Sequence, residues 1–277
     1  MSVLELLLWP SLACLVLTGI HAYLGLHVVE RGVIFVDLAL AQIAALGTVI
    51  AFLAGFELHD RPAYFFSLGF TLLGAAIFAL LRSRNSKNQE AFIGVVYVVS
   101  AALAILIMDR SPEGSEHVKY ILVGNLLGTG QADVVKMTLV YAGIGVLHWM
   151  WRKPFFLITT EPERAEGEIR VRLWDFLFYA SFGAVVTSSV MLAGVLLVFS
   201  YLTIPAIAAM MYCRGIKERL VMGWSIGALV SFIGMAVSYT FDTPTAATII
   251  CVFGVSLAIL AGIRPLFAPR PSSRGPI

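Results

Sequence analysis

The sequence predicts an all-α, polytopic membrane bundle of about nine spans, with the N-terminus outside and the C-terminus inside. Three observations predict it. First, 59% of the 277 residues are hydrophobic and 13% are charged, with a mean hydropathy of +0.89. That leaves too few polar groups to cover a water-soluble core of this length. Second, the apolar residues fall in runs of about twenty, the length a helix needs to cross a bilayer. Third, the basic residues segregate between alternate connections, as the positive-inside rule requires.

The elements follow in order. The opening MSVLELLLWP carries Glu5 and no basic cluster, so it reads as the start of a first span and not as a cleaved signal. Apolar segments are predicted at 6–27, 32–54, 62–81, 90–108, 132–151, 173–190, 191–212, 220–239 and 244–263. Residues 173–212 form one long tract that must hold two helices, or one helix and a re-entrant piece. Gly183, Gly194 and the run Thr187, Ser188, Ser189 mark where it could turn.

Of 19 Lys and Arg residues, 15 fall in the connections 28–31, 82–90, 152–172 and 213–219 and in the tail from 264. Three (Arg61, Arg110, Lys119) fall on the opposite side, and Lys136 lies just inside the fifth segment. Two spans in 173–212 keep the basic loop 213–219 on the basic side. Residues 1–264 are expected to form one transmembrane domain, and 265–277, rich in Pro and Arg, a disordered cytoplasmic tail. The longest basic-side connection, 152–172, is too short for an enzyme domain, so any ATP-driven chemistry requires another subunit. Cys14, Cys213 and Cys251 are scattered without CxxC spacing and read as inert thiols. No HExxH or Walker loop is present.

Several polar positions stand out. Cys14, Thr18, His21 and Gly25 form one stripe of the first helix. The stripe reads as close helix packing, or as a path lined by His21. Asp37 lies six residues after Arg31, roughly 9 Å along a helix. Acids in a span are costly and usually have a role. Asp37 either pairs with Arg31 or a neighbouring helix, or belongs to a translocation path or gate. Gln42 lies roughly 140° further round, so the two do not share a face. It reads as a partner of a neighbouring helix or a second path residue. Pro205 removes a backbone bond within its span and predicts a kink or break, with Ser200 and Thr203 able to satisfy the freed groups.

The two acidic-side loops place Glu57, His59 and Asp60 close in sequence, and likewise Glu116 and His117. Carboxylate and imidazole suit zinc or manganese. These residues read either as solvated loop chemistry or as a cation-concentrating vestibule. On the basic side, TTEPERAEGEIRVRLWDF predicts a short amphipathic helix started by Thr160 and Pro162. It is either a solvated interfacial segment or a peg that docks into a partner.

Four stretches together resemble the membrane permeases of bacterial ATP-binding-cassette importers for zinc, manganese and iron(II). They are RGVIFVDLALAQIAALG, YILVGNLLGTGQADV, GVLLVFSYLTIPAIAA and LVSFIGMAVSYTFDTPTAATII, in family order and over most of the chain. The resemblance implies a multi-pass subunit of the bacterial cytoplasmic membrane, usually dimeric. It implies a cytoplasmic ATPase and an extracytoplasmic metal-binding protein as partners, with transport by alternating access. It implies no permanently bound cofactor and no nucleic acid; zinc, then manganese, is the expected cargo. EPERAEGEIR resembles the segment that docks into the ATPase, which carries coupling to Glu163, Arg164, Ala165 and Gly167. Its Ala-to-Gly spacing is shorter than the family's. The family's second-helix block holds an Asp and a His four apart. Here Gln42 stands where the His aligns and Asp37 is one place early, and a neutral amide is a poor zinc ligand. Two other classes stay open. One is a stand-alone secondary cation transporter or channel using Asp37, and the other a structural subunit of a membrane complex.

Overall fold

The computed structural model describes residues 3–57, 60–82, 86–109 and 114–267. They form an all-helical bundle: α1 (Val3–Arg31), α2 (Val36–Leu53), α3 (Arg61–Leu80), α4 (Ser86–Met108), α5 (Gly114–Val123), α6 (Gln131–Met150), α7 (Arg152–Thr160), α8 (Pro162–Glu168), α9 (Val171–Ala193), α10 (Val195–Tyr212), α11 (Ile216–Phe241) and α12 (Thr245–Phe267). Eight of them are long and apolar enough to cross a membrane. A ninth crossing is made if α6 and α7, bent by 75° at their junction, count as one broken span. The expected spans are therefore present, and the ninth is the bent one. The tail beyond Phe267 lies outside the described residues.

The tract 173–212 holds two helices, as its charge pattern requires. The break falls at Gly194, with φ +76, between α9 and α10; Gly183 lies inside α9. Gly194 packs backbone to backbone against Gly124, the positive-φ residue that ends α5. The Asn125 N–H donates to the Leu192 carbonyl at 3.0 Å across the same junction. Helix α5 itself was not foreseen, because it is short and lies among polar residues.

Helices α1 and α2 sit at the centre. α1 packs against α10 and α11, and α2 against α3, α4 and α9. In lipid, apolar side chains gain little by leaving hydrocarbon for protein, so close backbone approach at small residues supplies much of the packing. A Cβ on Gly25 would lie 1.9 Å from the Leu202 carbonyl oxygen of α10, and one on Gly47 would lie 2.8 Å from Ser67 Cα of α3. The predicted stripe of α1 is a packing face of this kind: Cys14, Thr18 and His21 are buried, and Thr18 fills the space opposite Gly227.

Of the kink or break expected at Pro205, the break is absent. α10 continues from Val195 to Tyr212 without a break at Pro205. Ser200 and Thr203 donate to their own i−4 carbonyls, Leu196 at 2.9 Å and Phe199 at 2.7 Å. Neighbouring α1 and α11 enclose the helix and hold it through the missing bond.

Candidate functional site

The polar side chains of the bundle collect at three levels. At the end where α1, α3 and α7 finish and α9 begins, Asp175 is 1% exposed and accepts from two arginines. Arg31 Nη1 donates to Oδ1 at 3.1 Å, and Arg82 makes a short bond to Oδ2. Arg31 also donates through Nε to the Thr159 hydroxyl at 2.9 Å, and its guanidinium lies 4.0 Å from the Phe178 ring centroid. Thr159 donates to the Phe155 carbonyl at 2.8 Å, so it can only accept from His27 Nδ1 at 2.7 Å. His27 therefore carries its proton on Nδ1, and its buried Nε2 has no hydrogen-bond partner among the described residues.

This disposes of one reading of Asp37. Arg31 is fully engaged with Asp175, Thr159 and Phe155, and no ion pair joins it to Asp37. Asp37, in the first turn of α2, is 1% exposed, and its Oδ1 has no hydrogen-bond partner among the described residues. Glu90 of α4 accepts from the Phe35 N–H at 2.9 Å and so holds the start of α2. Gln42 is buried one turn and a half further along the helix.

At the middle level His21 of α1 is fully buried with both ring nitrogens engaged. Nδ1 donates to the Leu17 carbonyl at 2.9 Å, and Nε2 faces Ser189 Oγ at 3.1 Å. Tyr141 of α6 makes a short bond to the same hydroxyl. His21 thus joins α1, α6 and α9. Pro205 is buried on α10, away from this cluster's hydrogen bonds.

At the far end a cavity of about 290 Å³ opens between α3, α5, α6 and α9, lined among others by Tyr64, Asn125, Thr129, Asp133, Lys136 and Ser188. Tyr64 and Ser188 face each other at 3.2 Å, and Lys136 Nζ lies 4.8 Å from the Tyr64 ring centroid. Burial, and then the Asp133 carboxylate, push the nearby Tyr120 hydroxyl above its usual range. Glu57 and Asp60 are exposed at this end. His59 and the side chains of Glu116 and His117 lie outside the described residues. Among the described residues, no three His, Cys, Asp or Glu side chains cluster closely enough to hold a metal.

The predicted peg is the short helix α8, which starts at Pro162 with Glu161, not Thr160, as its N-cap. Thr160 instead donates back to Phe156 at 3.0 Å and belongs to α7. Ala165 is fully buried against Ile158 and Val171, which ties α8 to α7 and α9. Glu163, Arg164 and Gly167 face outward. Arg164 bonds Glu168 at 2.6 Å and Glu161 at 3.2 Å, and these carboxylates, Glu168 first, hold its guanidinium above its usual range. The result is a rigid charged knob beneath the bundle.

Residues 3–263 match the profile of the ABC 3 transport family. The chain belongs to that family. It is a multi-pass permease subunit of a bacterial ABC importer, and ATP hydrolysis belongs to a separate subunit. Similar proteins include the manganese transport system membrane protein MntC of Listeria monocytogenes, 24% identical over 97% of this chain and 92% of that one. The chelated iron transport system membrane protein YfeD of Yersinia pestis is 25% identical over 92% of this chain and 86% of its own. The fold matches that in the structure of PsaBC from Streptococcus pneumoniae in complex with Fab. There the TM-score is 0.77 at 21% identity, covering 92% of this chain and 91% of that one.

The sequence reading did not single out Asp175 or Glu90, and it took Ser189 only as a turn marker. Asp175 had one local signal, an acid just inside a span that follows a loop rich in arginine.

Proposed function

We propose that the permease passes a divalent first-row metal, with manganese and iron(II) ahead of zinc, along a path that includes Asp37 and Gln42. The observation that carries the reading is Asp37, a buried carboxylate whose neighbouring arginine is committed elsewhere. An unpaired acid in a span is costly, and a passing cation offsets that cost. A carboxylate and an amide oxygen are hard donors, which suit manganese or iron(II) better than zinc. The transport names of the Listeria and Yersinia relatives agree with this order.

In this reading an extracytoplasmic metal-binding protein delivers the ion at the α5–α6 end, where Glu57 and Asp60 sit. The ATPase docks on α8 through Glu163, Arg164 and the surface around Gly167, with Ala165 as the internal anchor. Two copies of the permease form the working unit. The N-terminus faces outward and α8 faces the cytoplasm. After Cys213 and Cys251 are replaced by serine, Glu57→Cys should react with a membrane-impermeant maleimide on intact cells, and Lys217→Cys should not. The reverse labelling would invert the topology.

A pull-down of the tagged chain in mild detergent tests the assembly. The wild type is expected to retain an ABC ATPase. Glu163→Arg, which reverses a charge on the exposed face of α8, should reduce retention about tenfold. A stand-alone secondary transporter would retain no ATPase at all.

A further inference from the structure

We infer that Asp175, held by Arg82 and by an Arg31 that also bonds Thr159, is a positioning residue that transmits ATPase docking on α8 to the inner end of the metal path. The inference rests on the permease reading above and adds residues to it.

Asp175 ties together α9, the end of α1 and the end of α3, of which α3 and α9 also pack directly on each other. It projects from the first turns of α9, whose starting residue Val171 packs on Ala165 of the peg. Its two oxygens take Arg31 at the end of α1 and Arg82 just after α3. Arg31 in turn bonds Thr159 in the last turn of α7, three residues before Pro162 opens α8. Thr159, Asp175, Arg31, Arg82 and Pro162 line one cavity of about 280 Å³, so there is room at the junction for these groups to shift. Beyond Arg31 the chain turns at Gly32, with φ +67, and enters α2, where Asp37 is the second residue. A displacement of α8 therefore reaches the α1–α2 turn and the end of α3 through side chains with few alternatives. One carboxylate serves two guanidiniums and is 1% exposed. Removing its charge strands both arginines, an outcome strongly disfavoured at a buried site. Coupling carried by such a contiguous network rests on discrete contacts that individual substitutions can break.

The test uses the complex purified through a tag on this chain and reconstituted in liposomes, with manganese ion as the probe. ATP hydrolysis and manganese uptake are measured together. Asp175→Asn should let hydrolysis continue while lowering manganese taken up per ATP by fivefold or more, the range of ordinary allosteric coupling. Should Asp175→Asn fail to assemble, Thr159→Val decides. It keeps the ion pairs and the shape and removes the hydroxyl that ties α7 to Arg31, which also accepts from His27. It should lower the same ratio, and Thr159→Ser should restore it. A merely structural role would reduce hydrolysis, uptake and assembly in proportion and leave the ratio unchanged, which would overturn the inference. A wild-type chain that retains no ATPase would instead overturn the permease–ATPase reading, and this inference with it.

Discussion

Asp37→Asn is expected to abolish metal uptake while leaving the folded chain as stable as the wild type, or more so. The two effects have opposite signs because they come from different properties of one group. For folding, the carboxylate is a liability. It is 1% exposed, Oδ1 has no hydrogen-bond partner among the described residues, and Arg31 is occupied by Asp175. An acid at a helix centre costs roughly 2.5–3.5 kcal/mol on insertion scales; Asp37, in the first turn of α2, bears less than that, and a neutral isostere relieves part of it. For transport, the same unpaired oxygen is the negative group a dehydrating cation requires. Its loss should reduce uptake at least tenfold, the lower end of what even indirect metal-site substitutions cost. A thermal-shift assay beside an uptake assay separates the two effects. If Asp37 were a structural ion-pair member, the substitution would destabilise the chain by several kcal/mol.

Gly194→Ala should prevent assembly of a folded bundle. A Cβ there would lie 2.4 Å from the Val123 carbonyl carbon and 2.5 Å from the Gly124 nitrogen, both backbone atoms. It would also sit on a residue with φ +76. The conformational cost is roughly 1–2 kcal/mol and the steric cost a further 1–3 kcal/mol. The contact is reciprocal, since a Cβ on Gly124 meets the Ala193 carbonyl carbon at 2.4 Å. Both helical breaks therefore have to be glycine for the α5 turn and the α9–α10 turn to touch. Size-exclusion profiles in detergent would report the loss. Gly223→Ala, whose added Cβ finds its nearest neighbour at 3.5 Å, is the control that should remain folded.

The spans were readable because a bilayer imposes a length, and runs of apolar residues repeat at that length. The turn at Gly194 was readable because a single apolar tract had to reverse and the basic loop after it had to stay on the basic side. Pairing within the bundle was not readable. Arg31 and Asp175 are 144 residues apart in sequence, and Glu90 caps a helix 55 residues before it. No local pattern encodes such meetings. The Arg31–Asp37 pairing was the natural local guess, six residues apart, and the structure takes that arginine away. The break at Pro205 is absent for a related reason. Proline's cost to a helix is a local rule, whereas α10 is held on both sides by α1 and α11. The peg was legible in outline, since Pro162 opens α8 and the charges face outward. That Ala165 is its anchor depends on Ile158 and Val171 closing over it.

We propose that this permease carries manganese or iron(II) past Asp37 at the expense of ATP hydrolysed on a bound subunit. The most direct test is uptake by the complex reconstituted in liposomes, with manganese, iron(II) and zinc compared in the presence and absence of ATP, for the wild type and Asp37→Asn. ATP-dependent uptake of manganese and iron(II), weaker uptake of zinc, and loss of all three in the variant are expected. Uptake that proceeds without ATP, or that survives intact in Asp37→Asn, would contradict the proposal.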